Sequence, residues 1–177
     1  MGVFSGIRGF DMNIKKLFIA AIVALVTTMA GTCLAQITKE EMSAGGVFIG
    51  QKYADVIAVH GQPARKENYS HMVLKNCTRY SYGKDGAVFD IIVSNTNNEV
   101  GAIYIKGDSG ISTKAGIKIN STRDEVKAAY GKPDSEDKDL VSYVNAMDRN
   151  WGIQLRLYME GDRVTEIRMD PWLSFSY

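Results

Sequence analysis

The chain has 177 residues, of which 45% are apolar, and a formal net charge of +1 at pH 7. This length suits one domain or two small ones. A nearly neutral chain has no broad basic field, so nucleic acid and anionic membrane surfaces are excluded as predicted partners.

Residues 1–35 are predicted to be a secretory signal peptide that is not part of the fold. Lys15 and Lys16 precede an unbroken apolar run at 17–26, and small residues then lead to Ala35. The run is shorter than the about 20 residues that a transmembrane helix needs. We therefore expect cleavage after Ala35, an exported protein, and no transmembrane span in the mature chain. Cleavage removes three basic residues and one acidic residue, which changes the net charge from +1 to −1.

Several alternatives remain open near this N-terminus. Met12 is a second possible start, and retention of the segment as a membrane anchor is a minor alternative. Cys33 allows lipid anchoring, although the residues before it match a lipoprotein signal poorly. The expected location is periplasmic or extracellular. The mature chain then keeps one cysteine, Cys77, which is expected to be buried or, alternatively, to form a disulfide with a partner.

The first unit is predicted to begin with a short helix at 52–60. Val56 and Val59 are expected to face inward, and Gly61 followed by Pro63 ends the helix. The helix start is weak because Lys52 offers no capping oxygen. Alternating apolar residues then predict three strands, near 77–82, at 89–93 and at 103–105.

The second unit is predicted to repeat this order after a linker at 107–111. Thr122 and Glu125 have the spacing of a capping box, which predicts the start of a helix at 122–130. Val126, Ala129 and Tyr130 are expected to fall on one helical face, and Gly131 and Pro133 end the helix. Three strands are predicted to follow, near 140–146, at 153–159 and at 165–169.

The helical segments are predicted to be copies in an internal repeat. Gly46, Gly61 and Pro63 recur at one constant offset as Gly116, Gly131 and Pro133, and the hairpins recur at a slightly smaller offset. The predicted units are 36–106 and 112–177, the second including an apolar C-terminal tail. One unit of about 65 residues buries a marginal core. We therefore predict an α+β fold in which two tandem helix–strand–strand–strand units share one antiparallel sheet, with the short helices packed on one face.

The helix segment has a recognisable pattern. Gly116-Ile117-x-Ile119, Thr122-x-x-Glu125-Val126 and Tyr130-Gly131-x-Pro133 resemble the helix signature of SmpA/OmlA-type envelope proteins. Two tandem units of this kind resemble the fold of the β-lactamase-inhibitory protein, a secreted binder that uses its open sheet face. The resemblance implies a helix-on-sheet architecture and a binding function in the bacterial cell envelope.

Residues that suggest catalysis or metal binding lack the required context. Gly107–Gly110 reads GDSG, but Ile111 follows where chymotrypsin-like proteases continue with glycine, and no suitable histidine lies near it. The spacing of His60, His71 and Cys77 matches no compact zinc site. No catalytic residue, metal site or cofactor is therefore predicted, and the chain is not expected to be an enzyme.

The most promising candidate site is the sheet face opposite the helices. Tyrosine, tryptophan and arginine are enriched in binding hot spots. Alternation predicts that side chains of these types point away from the helices, and neighbouring aromatic residues are expected to join them. The predicted binding residues are Tyr80, Tyr82, Tyr104, Tyr143, Trp151, Arg156, Tyr158 and Arg168.

The predicted function is an exported, non-enzymatic module that binds a protein partner of the cell envelope through this face. A secreted inhibitor of a hydrolase is the first alternative. A small-ligand-binding or hydrolytic protein is the second. The sequence does not identify the partner.

Overall fold

A computed structural model describes residues 37–38, 40–83, 87–146 and 151–173. The predicted signal peptide, including Cys33 and Ala35, and residues 174–177 of the predicted tail lie outside the described residues. In the described part of the chain, no helix has both the length and the apolar character needed to cross a membrane.

The described residues form ten strands and two helices. The elements are β1 (Ser43–Ala44), β2 (Val47–Phe48), α1 (Tyr53–His60), β3 (Arg65–Tyr69), β4 (Cys77–Ser81), β5 (Val88–Ser94), β6 (Val100–Lys106), α2 (Arg123–Tyr130), β7 (Ser135–Glu136), β8 (Leu140–Ala146), β9 (Trp151–Glu160) and β10 (Arg163–Leu173). Eight strands form one antiparallel sheet in the order β3-β4-β5-β6-β10-β9-β8-β7, and β1 and β2 form a small hairpin.

The predicted α+β class with two helix–strand–strand–strand units is wrong. The protein is mostly β, because one eight-stranded antiparallel sheet dominates and the described residues contain only two helices of eight residues each. The sequence pattern missed β3 and β7, which are the edge strands of the sheet. Three of the five residues of β3 are charged, so backbone pairing with β4, rather than an alternating apolar pattern, defines the strand.

The predicted ends of the helices are confirmed. The backbone N–H of Glu125 donates to Thr122 Oγ1 at 3.2 Å, and the backbone N–H of Thr122 donates to Glu125 Oε2 at 2.7 Å, which together form the capping box. Lys52 provides no side-chain cap to α1. Gly61 and Gly131 end the two helices with positive φ angles of 72° and 76°, in the region that favours glycine.

Both helices bury only a small part of their surface. Val56 of α1 and Val126 and Tyr130 of α2 are buried in the core. Val59 is exposed, so the prediction that it faces inward is wrong, and Ala129 on the predicted face of α2 is also exposed. An eight-residue helix has little more than two turns, so only a narrow stripe of its surface faces the sheet.

The two halves of the described chain share backbone contacts between the start of the helix and the hairpin. In the first half, the backbone N–H of Gly50 donates to Val100 O (2.8 Å) and that of Tyr53 donates to Asn98 O (2.9 Å). In the second half, the backbone N–H of Asn120 donates to Val164 O (2.8 Å) and that of Arg123 donates to Asp162 O (3.1 Å). Each donor and each acceptor of the first half matches one of the second half at the sequence offsets of the predicted repeat. The halves therefore have the same local backbone arrangement here, while the repeat as a whole stays a prediction.

The main core lies on the sheet face that the helices contact. Phe89, Ile91, Leu155 and Leu157 are buried there, as their alternation predicts. A second, smaller cluster of Cys77, Ile92 and Ala102 lies on the opposite face. The sheet therefore has one face that carries the main core and another on which polar side chains lie beside a small apolar patch.

Candidate interaction surface

Four of the predicted binding residues meet on the face opposite the main core, at the junction of the two halves. Strand register places Tyr104 of β6 opposite Arg168 of β10, and Arg168 opposite Arg156 of β9. Tyr158 lies opposite Glu166 across the β9–β10 pair. We use the term open face for the surface formed by Tyr104, Arg156, Tyr158, Glu166, Arg168 and Asp170.

Arg168 lies between two tyrosine rings. Its guanidinium carbon is 5.5 Å from the ring centroid of Tyr104 and 5.0 Å from that of Tyr158. Both distances are within the range of cation–π attraction. Arg168 also donates a hydrogen bond to Glu166 Oε1, and its side chain is 38% exposed. This side chain is therefore fixed in direction yet reachable from solvent.

A buried carboxylate holds the second arginine of the open face. Arg156 donates from Nη2 to Oδ2 of Asp170, and Asp170 is buried. Burial raises the pKa of Asp170, while Arg156 acts in the opposite direction and lowers it. The guanidinium of Arg156 also lies 6.0 Å from the ring centroid of Tyr158. The ion pair and the ring together orient Arg156.

The open face continues towards β3 through a second charged cluster that the sequence did not predict. Arg79 Nη1 is 2.9 Å from Glu67 Oε1, and Arg79 Nε is 3.6 Å from Asp90 Oδ2. The guanidinium of Arg79 lies 4.7 Å from the ring centroid of Tyr69. Because these residues come from β3, β4 and β5, their proximity depends on strand pairing. The one local signal is the mixture of charged and aromatic residues at 65–69.

The loop at 70–76 covers one end of this face and presents apolar side chains to solvent. Leu74 packs against the Cys77, Ile92 and Ala102 cluster. A Cβ on Gly101 would lie 3.0 Å from Leu74 Cδ2, so glycine allows the loop to approach β6. Met72 and Val73 are 72% and 39% exposed. The loop therefore adds two accessible apolar side chains at the rim.

The structure separates three predicted binding residues from the open face. Tyr80, Tyr82 and Tyr143 lie on the face of the main core. Tyr80 lies opposite Ile91 across the β4–β5 pair, and the alternation of side chains then places Tyr82 on the same side. These tyrosines therefore do not contribute to a contact with the open face.

Their contacts explain what these three tyrosines do instead. The ring of Tyr80 stacks on that of Tyr53 at 3.9 Å, and the hydroxyls of Tyr53 and Tyr82 are 3.2 Å apart. Tyr143 is buried and donates to Gly131 O at 3.1 Å. Trp151 is a residue of β9, and its side chain lies outside the described part of the structure.

The hydroxyl group of Tyr104 is suited to hydrogen bonding without ionisation. Burial raises the pKa of Tyr104, and the hydrogen bond with Tyr69, whose hydroxyl is 3.2 Å away, raises it further. Tyr104 is therefore a neutral phenol at physiological pH, and its hydroxyl can donate or accept a hydrogen bond.

His60 and Cys77, two of the residues weighed for metal binding, lie on opposite faces of the sheet. His60 Nε2 lies 2.8 Å from Gly45 O, and its ring contacts Phe89 at 5.1 Å on the side of the main core. Cys77 belongs to the apolar cluster on the opposite face. Among the residues that the structure describes, no group of three or more histidine, cysteine, aspartate or glutamate side chains is placed to hold a metal ion.

Comparison with known proteins identifies no relative. No protein-family model, curated protein or solved structure matches this chain. The resemblance to SmpA/OmlA-type envelope proteins and to the β-lactamase-inhibitory protein therefore stays a prediction. A function must be proposed from the geometry of the open face.

Proposed function

We propose that this chain is an exported, non-enzymatic binding module that recognises a protein partner of the cell envelope through the open face. The observation that carries the proposal is the position of Arg168, which lies between Tyr104 of the first half and Tyr158 of the second. Tyrosine and arginine are the side chains that most often dominate protein-binding energy. The predicted signal peptide supports export.

The side chains of the open face are ordered before a partner arrives. Arg156 is held by Asp170, and Arg168 is held by Glu166 and two rings. Fixing a flexible side chain on binding costs about 0.5–1.5 kcal/mol. Because these arginines already have defined positions, binding loses less of this entropy, which favours a specific protein contact over loose electrostatic attraction.

The charge on this face defines the kind of partner. Each arginine there lies beside at least one carboxylate, so the face has little net charge. The exposed Met72 and Val73 add an apolar rim. We expect a folded protein with a nearly neutral contact surface that places apolar or aromatic side chains beside Tyr158 and Met72.

Affinity capture from envelope extracts of the producing cell tests this proposal. Three forms of the full chain serve as bait: the native chain, a Tyr158→Ala/Arg168→Ala variant, and a Lys132→Ala control, in which an exposed lysine is removed elsewhere. Circular dichroism checks that each is folded. We expect one protein to be retained by the native chain and the control and to be lost by the double variant.

Titration of that protein, once purified, decides the outcome. Removal of two hot-spot side chains should weaken binding by about 30-fold or more, since each contributes at least about 1 kcal/mol. Equal affinity for the native chain and the double variant would overturn the proposal. If the captured protein is a hydrolase, its activity at a stoichiometric concentration of the chain distinguishes an inhibitor from another kind of binding module.

A further inference from the structure

A groove lies beside α2, outside the open face. It has a volume of about 570 Å³, within the range of about 300–1,000 Å³ that is typical of small-molecule sites. The loop at 115–121 forms one wall, and the exposed side of α2 forms the other. The lining includes Lys118, Ile119, Glu125, Ala128, Ala129 and Arg163.

The groove combines small apolar walls with positive charge. Ala128 and Ala129 present only methyl groups from α2, and the partly buried Ile119 adds aliphatic surface. Among the described residues, neither Lys118 nor Arg163 forms an ion pair with a carboxylate. This combination favours a ligand with an anionic group and an apolar body.

The contacts of Arg163 and Glu125 leave the positive charges of Lys118 and Arg163 available to a ligand. Arg163 Nη1 donates to Asn120 O at 2.7 Å, which fixes the guanidinium at the wall of the groove. The carboxylate of Glu125 accepts the backbone N–H of Thr122 at 2.7 Å and is therefore committed to the helix cap. Glu125, the one acidic residue of the lining, therefore caps the N-terminal end of α2.

The first half of the chain provides an internal comparison. The same backbone turn occurs there, because the N–H of Phe48 donates to Gln51 Oε1 at 3.1 Å as that of Lys118 donates to Ser121 Oγ at 3.3 Å. The side chains differ at the positions that line the groove. Lys118, Ala129 and Arg163 correspond to Phe48, Val59 and Glu99 of the first half.

Because of these differences, the first half lacks the two basic side chains found in the groove of the second half. Phe48 and Val59 are 43% and 64% exposed, and Glu99 pairs with Lys52 at 2.8 Å. With the same backbone arrangement, the first half has an acid and two large apolar side chains where the second has two cations and a methyl group. The basic groove is therefore a feature of side chains, specific to the second half.

We propose that the groove beside α2 binds a small amphiphilic anion. Its carboxylate, sulfonate or phosphate group contacts Lys118 and Arg163, and its hydrocarbon or aromatic body lies against Ala128 and Ala129. Charge-assisted hydrogen bonds provide affinity for the head group, and burial of the apolar body provides the rest. This site is separate from the open face, so it does not depend on the proposed partner.

Isothermal titration calorimetry of the full chain with octanoate tests the proposal. Three other compounds serve as comparisons with octanoate. Octanol lacks the negative charge, octyltrimethylammonium carries a positive charge instead, and inorganic phosphate lacks the apolar body. We expect saturable binding of one octanoate per chain, and at least about tenfold weaker binding of each of the other three compounds. Octanol and octyltrimethylammonium cannot form the charge-assisted hydrogen bonds of an anionic head group, and inorganic phosphate buries no apolar body. Octyl phosphate that binds more tightly than octanoate would point to a phosphate head group.

Two variants and a matched control locate the site. Lys118→Phe with Arg163→Glu introduces the residues of the first half and should weaken octanoate binding at least about tenfold. Ala128→Trp should block the groove, whereas Ala58→Trp, at the corresponding exposed position of α1, should leave binding unchanged. Absence of saturable binding, equal affinity for octanol, or equal loss in both tryptophan variants would overturn the proposal.

Discussion

Leu157 and Tyr158 are neighbours in β9 whose side chains lie on opposite faces of the sheet, so their replacement should have opposite consequences. Leu157 is completely buried and lies between Val141 of β8 and Ile167 of β10, which are also buried. Tyr158 is partly exposed on the open face. Leu157→Ala should destabilise the fold, and Tyr158→Ala should chiefly reduce partner binding.

The structure sets the size of the effect of Leu157→Ala. Loss of three buried carbons costs about 2.4 kcal/mol in transfer free energy, at about 0.8 kcal/mol each. The neighbouring strands are hydrogen-bonded on both sides, so the cavity cannot close fully, and the expected total is about 3–4 kcal/mol. Tyr158→Ala should lower the free energy of unfolding by less than about 1.5 kcal/mol, because only a partly buried side chain and its cation–π contacts are lost.

Urea denaturation followed by circular dichroism measures both values. At about 4 °C per kcal/mol for a domain of this size, Leu157→Ala should also lower Tm by about 12 °C or more. Equal losses of stability in the two variants would refute the assignment of faces in β9. A larger loss in Tyr158→Ala would refute it more strongly, because it would place Tyr158 in the core.

Three further predictions concern the helix cap, a buried acid and a buried hydroxyl. Thr122→Ala should cost about 1 kcal/mol of unfolding free energy in urea denaturation, and Lys52→Ala, at the uncapped start of α1, should cost less. Burial raises the pKa of Asp170 above its ordinary value of 3.8, so in the pH range just above 3.8 the folded protein binds a proton that the unfolded chain has released. Stability should therefore fall as pH rises through this range, and Asp170→Asn should remove that part of the pH dependence of Tm. Tyr130→Phe should cost about 1–2 kcal/mol, because it removes the 2.6 Å hydrogen bond to Thr113 Oγ1 in the core; a change below about 0.3 kcal/mol would contradict this contact.

Features that depend on local sequence could be predicted. The alternation around Leu155 and Leu157 correctly identified the buried face of β9, because side chains in a strand alternate with a period of two. The capping box of Thr122 and Glu125 was also identified, since it involves residues three apart in one segment. These features need no knowledge of which strands pair.

Features that depend on pairing between strands could not be predicted. The charged β3 gives no apolar alternation, and β7 has only two residues, so the extent of the sheet was underestimated. Tyr80 and Tyr104 are both strand tyrosines, yet register places Tyr80 on the core face and Tyr104 on the open face. A shift of one residue reverses the face of every side chain in a strand, so residue type alone does not assign it.

The candidate site shows the same division. Tyr104, Arg156, Tyr158 and Arg168 were predicted individually from alternation, but the meeting of Tyr104 with Arg168 depends on the pairing of β6 with β10. The cluster around Arg79 needs three correctly paired strands and was missed. Long-range strand pairing therefore determines how much of the open face is visible from sequence.

Site-specific photo-crosslinking in the producing cell tests whether the open face binds a protein partner. p-Benzoylphenylalanine would replace Tyr158 on the open face in one variant and Lys132, away from that face, in another. We predict one discrete crosslinked protein from the Tyr158 position, its loss when Arg168→Ala is added, and no such product from the Lys132 position. No product at Tyr158, or the same product at both positions, would contradict recognition of a protein partner through the open face.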